Sequence, residues 1–305
     1  VSESITPWEN DLVSHDATTK EYVVINSTKG HLKEAIAAAN KDYTKIKNLK
    51  ITGEISAQDF YFMRDSMENL AALNLKEVII RGGEQRLTGG AQGVYPHNDY
   101  EIPYEALRGK KSLNLLVLPD KLTKIGIAAF ADDQNITGSL IIPEGVTEIE
   151  VGAFYDCRSM NGTLSLPSTL KYLGRGIDLW WYGGVFTYCG FTSELILPNN
   201  LECIAGNNTF AGCEGLHGEL RFPEKLTEIS DGAFNGCKSL TGSITIPQGV
   251  HKLPTSVFQF CDNLNGTLTL PDGITSIGYN CFQGCALKGE LKLPKNLTVI
   301  ADEVF

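Results

Sequence analysis

The chain never strings together the roughly 20 apolar residues that a helix needs to cross a bilayer, so no membrane-spanning segment is expected. Basic charge is also scarce. Lys and Arg number 26 against 36 Asp and Glu, the formal net charge is −10, and no run of Lys and Arg concentrates positive charge. That excludes a nucleic-acid partner, because phosphate binding needs a concentrated basic surface. Histidine is sparse and scattered, at His15, His31, His97, His217 and His251, which gives no closely spaced set of metal ligands. G-x-S-x-G and H-E-x-x-H are missing. The glycine-rich "RGGEQRLTGGAQG" lacks the Gly-Lys-Ser/Thr ending of a phosphate loop and reads as a flexible loop. Carboxylate pairs such as Asp132/Asp133, Glu148/Glu150 and Asp302/Glu303 fall in variable columns and read as a solvated face. Neither catalysis nor a cofactor or metal is expected.

What the chain does contain is a repeat. Hydrophobic residues make up 42% and aromatics 9%, as in a folded domain. "GAFYDCRSMNGTLSLPSTL" at 152–170 returns as "GAFNGCKSLTGSITIPQGV" at 232–250, with similar units around both. Aligned on the proline after the aliphatic pair, the units begin at Pro119, Pro143, Pro167, Pro198, Pro223, Pro247, Pro271 and Pro294, with spacings of 24, 24, 31, 25, 24, 24 and 23. The shared pattern is L-x-G-x-L-x-L-P-x-x-L-x-x-I-x-x-x-A-F-x-x-C. Pairs such as Leu164/Leu166 and Ile244/Ile246 place two apolar side chains on one strand face. A strand this short buries that face only by stacking on copies of itself, so the pattern predicts a solenoid with a shared interior. The proline, lacking an N–H, closes each strand. The segment holding Phe and Cys, three residues apart, reads as one helical or 3-10 turn. Phe130, Phe154, Phe186, Phe210, Phe234, Phe258 and Phe282 are therefore candidate core residues.

The beginning is atypical. "EYVVINSTKGHLKEAIAAANKDY" reads as a strand and an amphipathic helix on Leu32, Ala35, Ile36 and Ala39. "SAQDFYFMRDSMENL" reads as a second helix, with Ser56 and Asp59 as a capping box and a stripe of Phe60, Met63, Met67 and Leu70. Leu49/Ile51 and Leu73/Leu75 repeat the strand pair 24 residues apart. Residues 1–45 are read as an N-terminal cap, and 46–305 as about ten rungs with insertions near 77–101 and 174–185. "VSESITPWEN" has no initiator Met, basic start or apolar leader, which leaves a removed signal peptide or a start inside a longer chain. The end falls just after a repeat Phe, so the natural protein is expected to run on, or the array to stop abruptly.

Eight cysteines could form disulfides, but six share one column: Cys157, Cys189, Cys213, Cys237, Cys261 and Cys285. Asp133 holds that column in an earlier rung, and Cys203 and Cys281 sit beside core columns. The favoured reading is a ladder of buried thiols; bridges between adjacent rungs are the alternative. Six N-x-S/T sequons are present, at Asn26, Asn135, Asn161, Asn207, Asn265 and Asn296.

The columns A-F-x-x-C, L-x-L-P and L-x-x-I resemble the leucine-rich repeat class of BspA-like surface proteins of Bacteroides and of related treponemal proteins. The resemblance is close over about 102–305, from "EIPYEALRGKKSLNLLVLP" onward, and loose over 46–101. It implies an α/β leucine-rich repeat solenoid with a parallel β-sheet on the concave side, short helical or 3-10 turns on the convex side, and an α/β cap. It further implies a cell-surface or secreted bacterial protein of a family associated with adhesion to host matrix or plasma proteins. No binding motif is shared at residue level. The G-x-L-x-L-P variant departs from the commoner family form and resembles a second leucine-rich class.

Three surfaces could bind a ligand. The first insertion contains Arg81, Arg86, Tyr95, His97 and Tyr100. The second, "GRGIDLWWYGGV", contains Trp180, Trp181 and Tyr182, which either pad the solenoid or stand exposed as an anchor. The outward strand positions are mostly Ser and Thr, with apolar Leu115, Val117 and Ile141 at the early end; strand propensity explains the hydroxyls as well as binding does. The expected function is a non-catalytic, monomeric binding module for host or extracellular proteins or glycans. A structural spacer presenting other domains is the rival, and a glycosidase with converging carboxylates a distant third.

Overall fold

A computed structural model describes residues 21–86, 94–176 and 183–305. Its architecture is a parallel β-solenoid of about 11 turns with few helices. The chain opens with β1 (Val23–Ser27), α1 (Leu32–Ala38), β2 (Asn48–Ile55), α2 (Ala57–Ser66) and β3 (Ala72–Asn74). β1 pairs in parallel with β2, and β2 with β3, so that Leu49 stands beside Leu73, the pair expected from the 24-residue spacing. Ser56 caps α2, and the Asp59 carboxylate accepts its backbone N–H at 2.8 Å. The same carboxylate accepts from Gly30 and Leu32 at 2.8 and 2.9 Å, joining the starts of both helices. Phe60, Met63, Met67 and Leu70 are fully buried.

Two strand columns then run along the stack. β2 is long enough to serve both: its first half pairs with β3, and Gly53–Ile55 pairs with β4 (Val78–Ile80). The insertion that follows is an antiparallel hairpin of β5 (Gly83–Arg86) and β6 (Val94–His97), so part of the expected flexible loop is paired backbone. The second column comprises β7 (Glu101–Ile102), β9 (Lys124–Ile125), β11 (Glu148–Glu150), β13 (Tyr172–Arg175), β14 (Cys203–Ile204) and β16 (Glu228–Ile229) in one six-stranded parallel sheet. These are the L-x-x-I positions. The L-x-L-P column is more broken. After β8 (Leu115–Val117), which pairs with β3, it continues as separate pairs such as β10 (Leu140–Ile141) with β12 (Leu164–Ser165). A proline ends each of these strands and withholds an N–H from the ladder, so only two residues per rung remain to pair.

A single hydrophobic cluster runs from Ile25 to Val304. Phe130, Phe154, Phe186, Phe210, Phe234, Phe258 and Phe282 lie within it, at 0–1% exposure. Neighbouring rings stack with centroids 5.2–5.7 Å apart and planes within 23° of parallel, inside the range that favours offset aromatic pairs. All eight cysteines are free thiols. In the repeat column each Sγ donates to the Phe carbonyl one rung back: Cys157 to Phe130, Cys213 to Phe186 and Cys237 to Phe210, at 2.9–3.1 Å. A small apolar group that also supplies one weak donor explains why this residue type recurs there.

Candidate functional site

The turn around each Phe forms a third wall of the stack, and its backbone alternates. Around Phe130, Phe210, Phe234 and Phe258 the N–H groups of Phe and of the residues two before and two after it cross to the next rung. Phe186 bonds the Thr209 carbonyl, Tyr188 that of Ala211, and Asn208 that of Asp231, all at 2.8 Å. The intervening N–H groups close i→i−3 turns, as Ala211 does on Asn208 at 3.0 Å. These backbone donors are thus paired, and two positions per turn are driven into the left-handed region.

The position two residues after Phe is held by Asp132, Asp156, Tyr188, Gly212, Gly236, Phe260 and Gly284, all with φ between 58° and 78°. Glycine takes this conformation freely and Asp tolerates it. Aromatic residues avoid it, at a cost on the order of 1–3 kcal/mol each. Tyr188 and Phe260 are nevertheless placed there, and their side chains are 49% and 48% exposed. Each reaches over the glycine of the next rung. A Cβ built on Gly212 would stand 2.5 Å from Tyr188 Cδ1, and one on Gly284 3.0 Å from Phe260 Cδ1.

Tyr188, Gly212, Gly236 and Phe260, with Tyr155, line an open cavity of about 1240 Å³. Its polar sides include Asn235, Glu214, Lys238 and Asp262, with Arg175 and Glu228 nearer the second strand column. Lys238 Nζ pairs with Glu214 at 2.7 Å, and that hydrogen bond raises the lysine pKa. The Arg175 guanidinium lies 3.6 Å from the Tyr172 ring centroid. Cys203, which donates to Glu228 at 2.9 Å, has its pKa pushed up to about 12, by burial first and the adjacent carboxylate second. Burial likewise raises Cys213 to about 12 and holds Cys237 well above the ordinary thiol value. Burial of this kind suppresses the thiolate, the form that acts as nucleophile and metal ligand. Among the described residues no cluster of His, Cys, Asp or Glu could hold a metal ion. Nor, among them, is any helix long and apolar enough to cross a membrane.

The model of the BspA type leucine rich repeat region matches residues 100–177 and 182–305, in 6 copies. The chain belongs to the BspA-type leucine-rich repeat family. This family and its fold are generally non-catalytic. Solved structures with similarity include a Treponema pallidum leucine-rich repeat protein, 26% identical over 61% of this chain and 70% of that one, with a TM-score of 0.39. A leucine-rich repeat protein of Bacteroides ovatus is 19% identical over 92% of this chain and 82% of its own, TM-score 0.42. A leucine-rich cell surface protein of Faecalibacterium prausnitzii is 17% identical over 91% and 82%, TM-score 0.32. Among curated proteins none matches.

Within the BspA-type array, the residues singled out from the sequence do not converge. Leu115 and Val117 are half-buried on β8 beside Ala72 and Asn74; Ile141 is half-buried on β10 beside Ser165, in a different sheet. Tyr100 is half-buried with φ 65°, its N–H bonded to the Ile80 carbonyl at 2.8 Å. Tyr95 lies opposite Gln85 in the hairpin, and only its backbone is described. His97 is buried, which lowers its pKa, and Arg81 bridges Glu54 and Asp99 at 2.6 and 2.7 Å. Trp180, Trp181 and Tyr182 lie outside the described residues. The flanks of their insertion are described. A bulge at Gly174, where an added Cβ would stand 2.3 Å from the Gly206 nitrogen, leads into it. Gly176 abuts Ile127, and Gly183 abuts Tyr155. Sequence reasoning passed over Tyr188 and Phe260 because the column between Phe and Cys looked merely variable. Its restriction to Asp, Gly and two aromatics was the available signal.

Proposed function

We propose that this chain is a non-catalytic binding module of a bacterial surface protein, engaging extracellular proteins or glycans in the service of adhesion. Residues 1–45 serve as its cap and 46–305 as the binding array, acting as a monomer. The observation that carries this reading is the contrast between the two sides of the Phe turn. Inward it repeats one ring and one thiol; outward it sets two half-exposed aromatics in a backbone conformation that aromatics avoid, above an open cavity. Strain of that kind is kept where function offsets it. The cell-surface description of the Faecalibacterium protein agrees with such a location. The spacer reading draws on the exposed hydroxyl row Thr245, Thr267 and Thr269, which offers little to grip.

The test is binding of purified extracellular proteins and glycoproteins to immobilised chain, by surface plasmon resonance, against a Tyr188→Gly/Phe260→Gly variant. Binding that the variant loses supports the module. Absence of binding by both leaves the spacer.

A further inference from the structure

We propose that the trough between Tyr188 and Phe260 is a binding site for a short neutral oligosaccharide, an assignment that rests on the return-turn wall being the ligand-binding face. Four observations lead there. First, neither aromatic belongs to the hydrophobic clusters of the interior; Tyr188 meets the half-buried Tyr155 edge-on at 6.3 Å, and glycine fills the same position in three other rungs, so the turn itself folds without a ring there. Second, the two rings stand three rungs apart, about 14 Å at the spacing of parallel strands. Between them Gly212 and Gly236 contribute no side chain, which leaves a backbone floor with an aromatic at each end.

Third, the rim carries planar or charged hydrogen-bonding groups with little net charge. Asn235 offers an amide, Glu214 and Lys238 neutralise one another, and Asp262 adds a carboxylate. A sugar ring presents a C–H face that suits an aromatic surface and a belt of hydroxyls that both donate and accept, as amides and carboxylates require. An anionic ligand would meet a chain of net charge −10, and the cations beside the trough are already engaged, Lys238 with Glu214, Arg158 with Asp156 and Arg175 on the Tyr172 ring. Fourth, a peptide adding itself as a strand would need free backbone donors, and the N–H groups of Tyr188, Gly212, Gly236 and Phe260 all donate to the next rung at 2.8 Å.

Replacing both aromatics by glycine gives the turn the residue its neighbours already use, so the Tyr188→Gly/Phe260→Gly variant is expected to fold with an unchanged or higher melting temperature. The experiment screens wild-type and variant chains on a printed panel of neutral, sialylated and sulfated oligosaccharides, with titration calorimetry on any glycan bound. Wild-type binding to neutral glycans, weakened at least tenfold in the variant, is the expected result. A blank panel, binding confined to charged glycans, or affinity retained within twofold in the variant would overturn the assignment. Purified extracellular proteins, enzymatically deglycosylated, are run in parallel. If these bind wild type and not the variant while the panel stays blank, the saccharide assignment fails and the binding-module reading survives. If the variant changes nothing on either surface, both fail.

Discussion

Residues 21–75 and residues 100–305 stack parallel strands alike but close their rungs differently. In the first region the return wall is a helix of 7 or 10 residues, which satisfies its own backbone and meets its neighbour through side chains. In the second it is the Phe turn, which exports every second N–H to the following rung. The family match begins at residue 100, where this change occurs. A helix-walled rung leaves no hydrogen-bond ladder open on its return wall. A turn-walled rung does, and the seam shows how the molecule handles this. The first such turn exposes carbonyls that no preceding rung reaches. Tyr61 Oη, on α2, donates to the Tyr104 carbonyl at 3.0 Å, and Arg64 donates to that of Glu105 at 2.8 Å. Lys110, in the later Cys column, turns its ammonium to the carbonyls of Met67 and Arg64 at the end of α2.

The largest effect that would test this contrast is Phe210→Ala. Its ring is stacked on both sides, so a loss of about 3–5 kcal/mol is expected in urea denaturation. Hydrogen exchange should quicken on both flanking rungs together, because each holds the other's amides. Met63→Ala in α2 should cost about 2–5 kcal/mol and leave exchange beyond residue 130 unchanged. If Phe210→Ala loosened only its own turn, the distinction would collapse. Cys237→Ala comes next, at about 1–3 kcal/mol, since it strips the Phe210 carbonyl of its thiol donor. Ser56→Ala should cost only about 1 kcal/mol, as the loss of a helix cap does.

The seam also predicts a pH effect. Asp133 stands in the Cys column, fully buried, accepting the Lys110 N–H, and burial raises its pKa well above the ordinary 3.8. The folded state therefore binds the proton more tightly than the unfolded chain. Its contribution is complete below 3.8 and is lost as the pH rises through the folded value. Asp133→Cys should flatten this dependence in melting temperatures measured from pH 3 to 8.

The solenoid was legible because interior columns recur: Phe and Cys must fit the same space in every rung, and the α2 capping box and its stripe are local patterns. Features that depend on what lies alongside were not legible. That the L-x-x-I segment, and not L-x-L-P, carries the longer sheet shows only once the rungs are stacked. Tyr61 and Arg64 look like surface residues of a helix until the turn they cover is in place. The left-handed position hides because Asp, Gly, Tyr and Phe share no side-chain property, only a backbone angle. The expected sites at Leu115, Val117 and Ile141 rested on outward strand alternation, and the structure puts them in separate sheets.

The free thiols have a consequence of their own. Each sulfur in the column spends its proton on a main-chain oxygen inside the stack, and no bond between sulfurs contributes to the fold. What holds one coil on the next is therefore packing and hydrogen bonding alone, and lengthening such a stack by a rung asks only for another ring and another thiol in the same places.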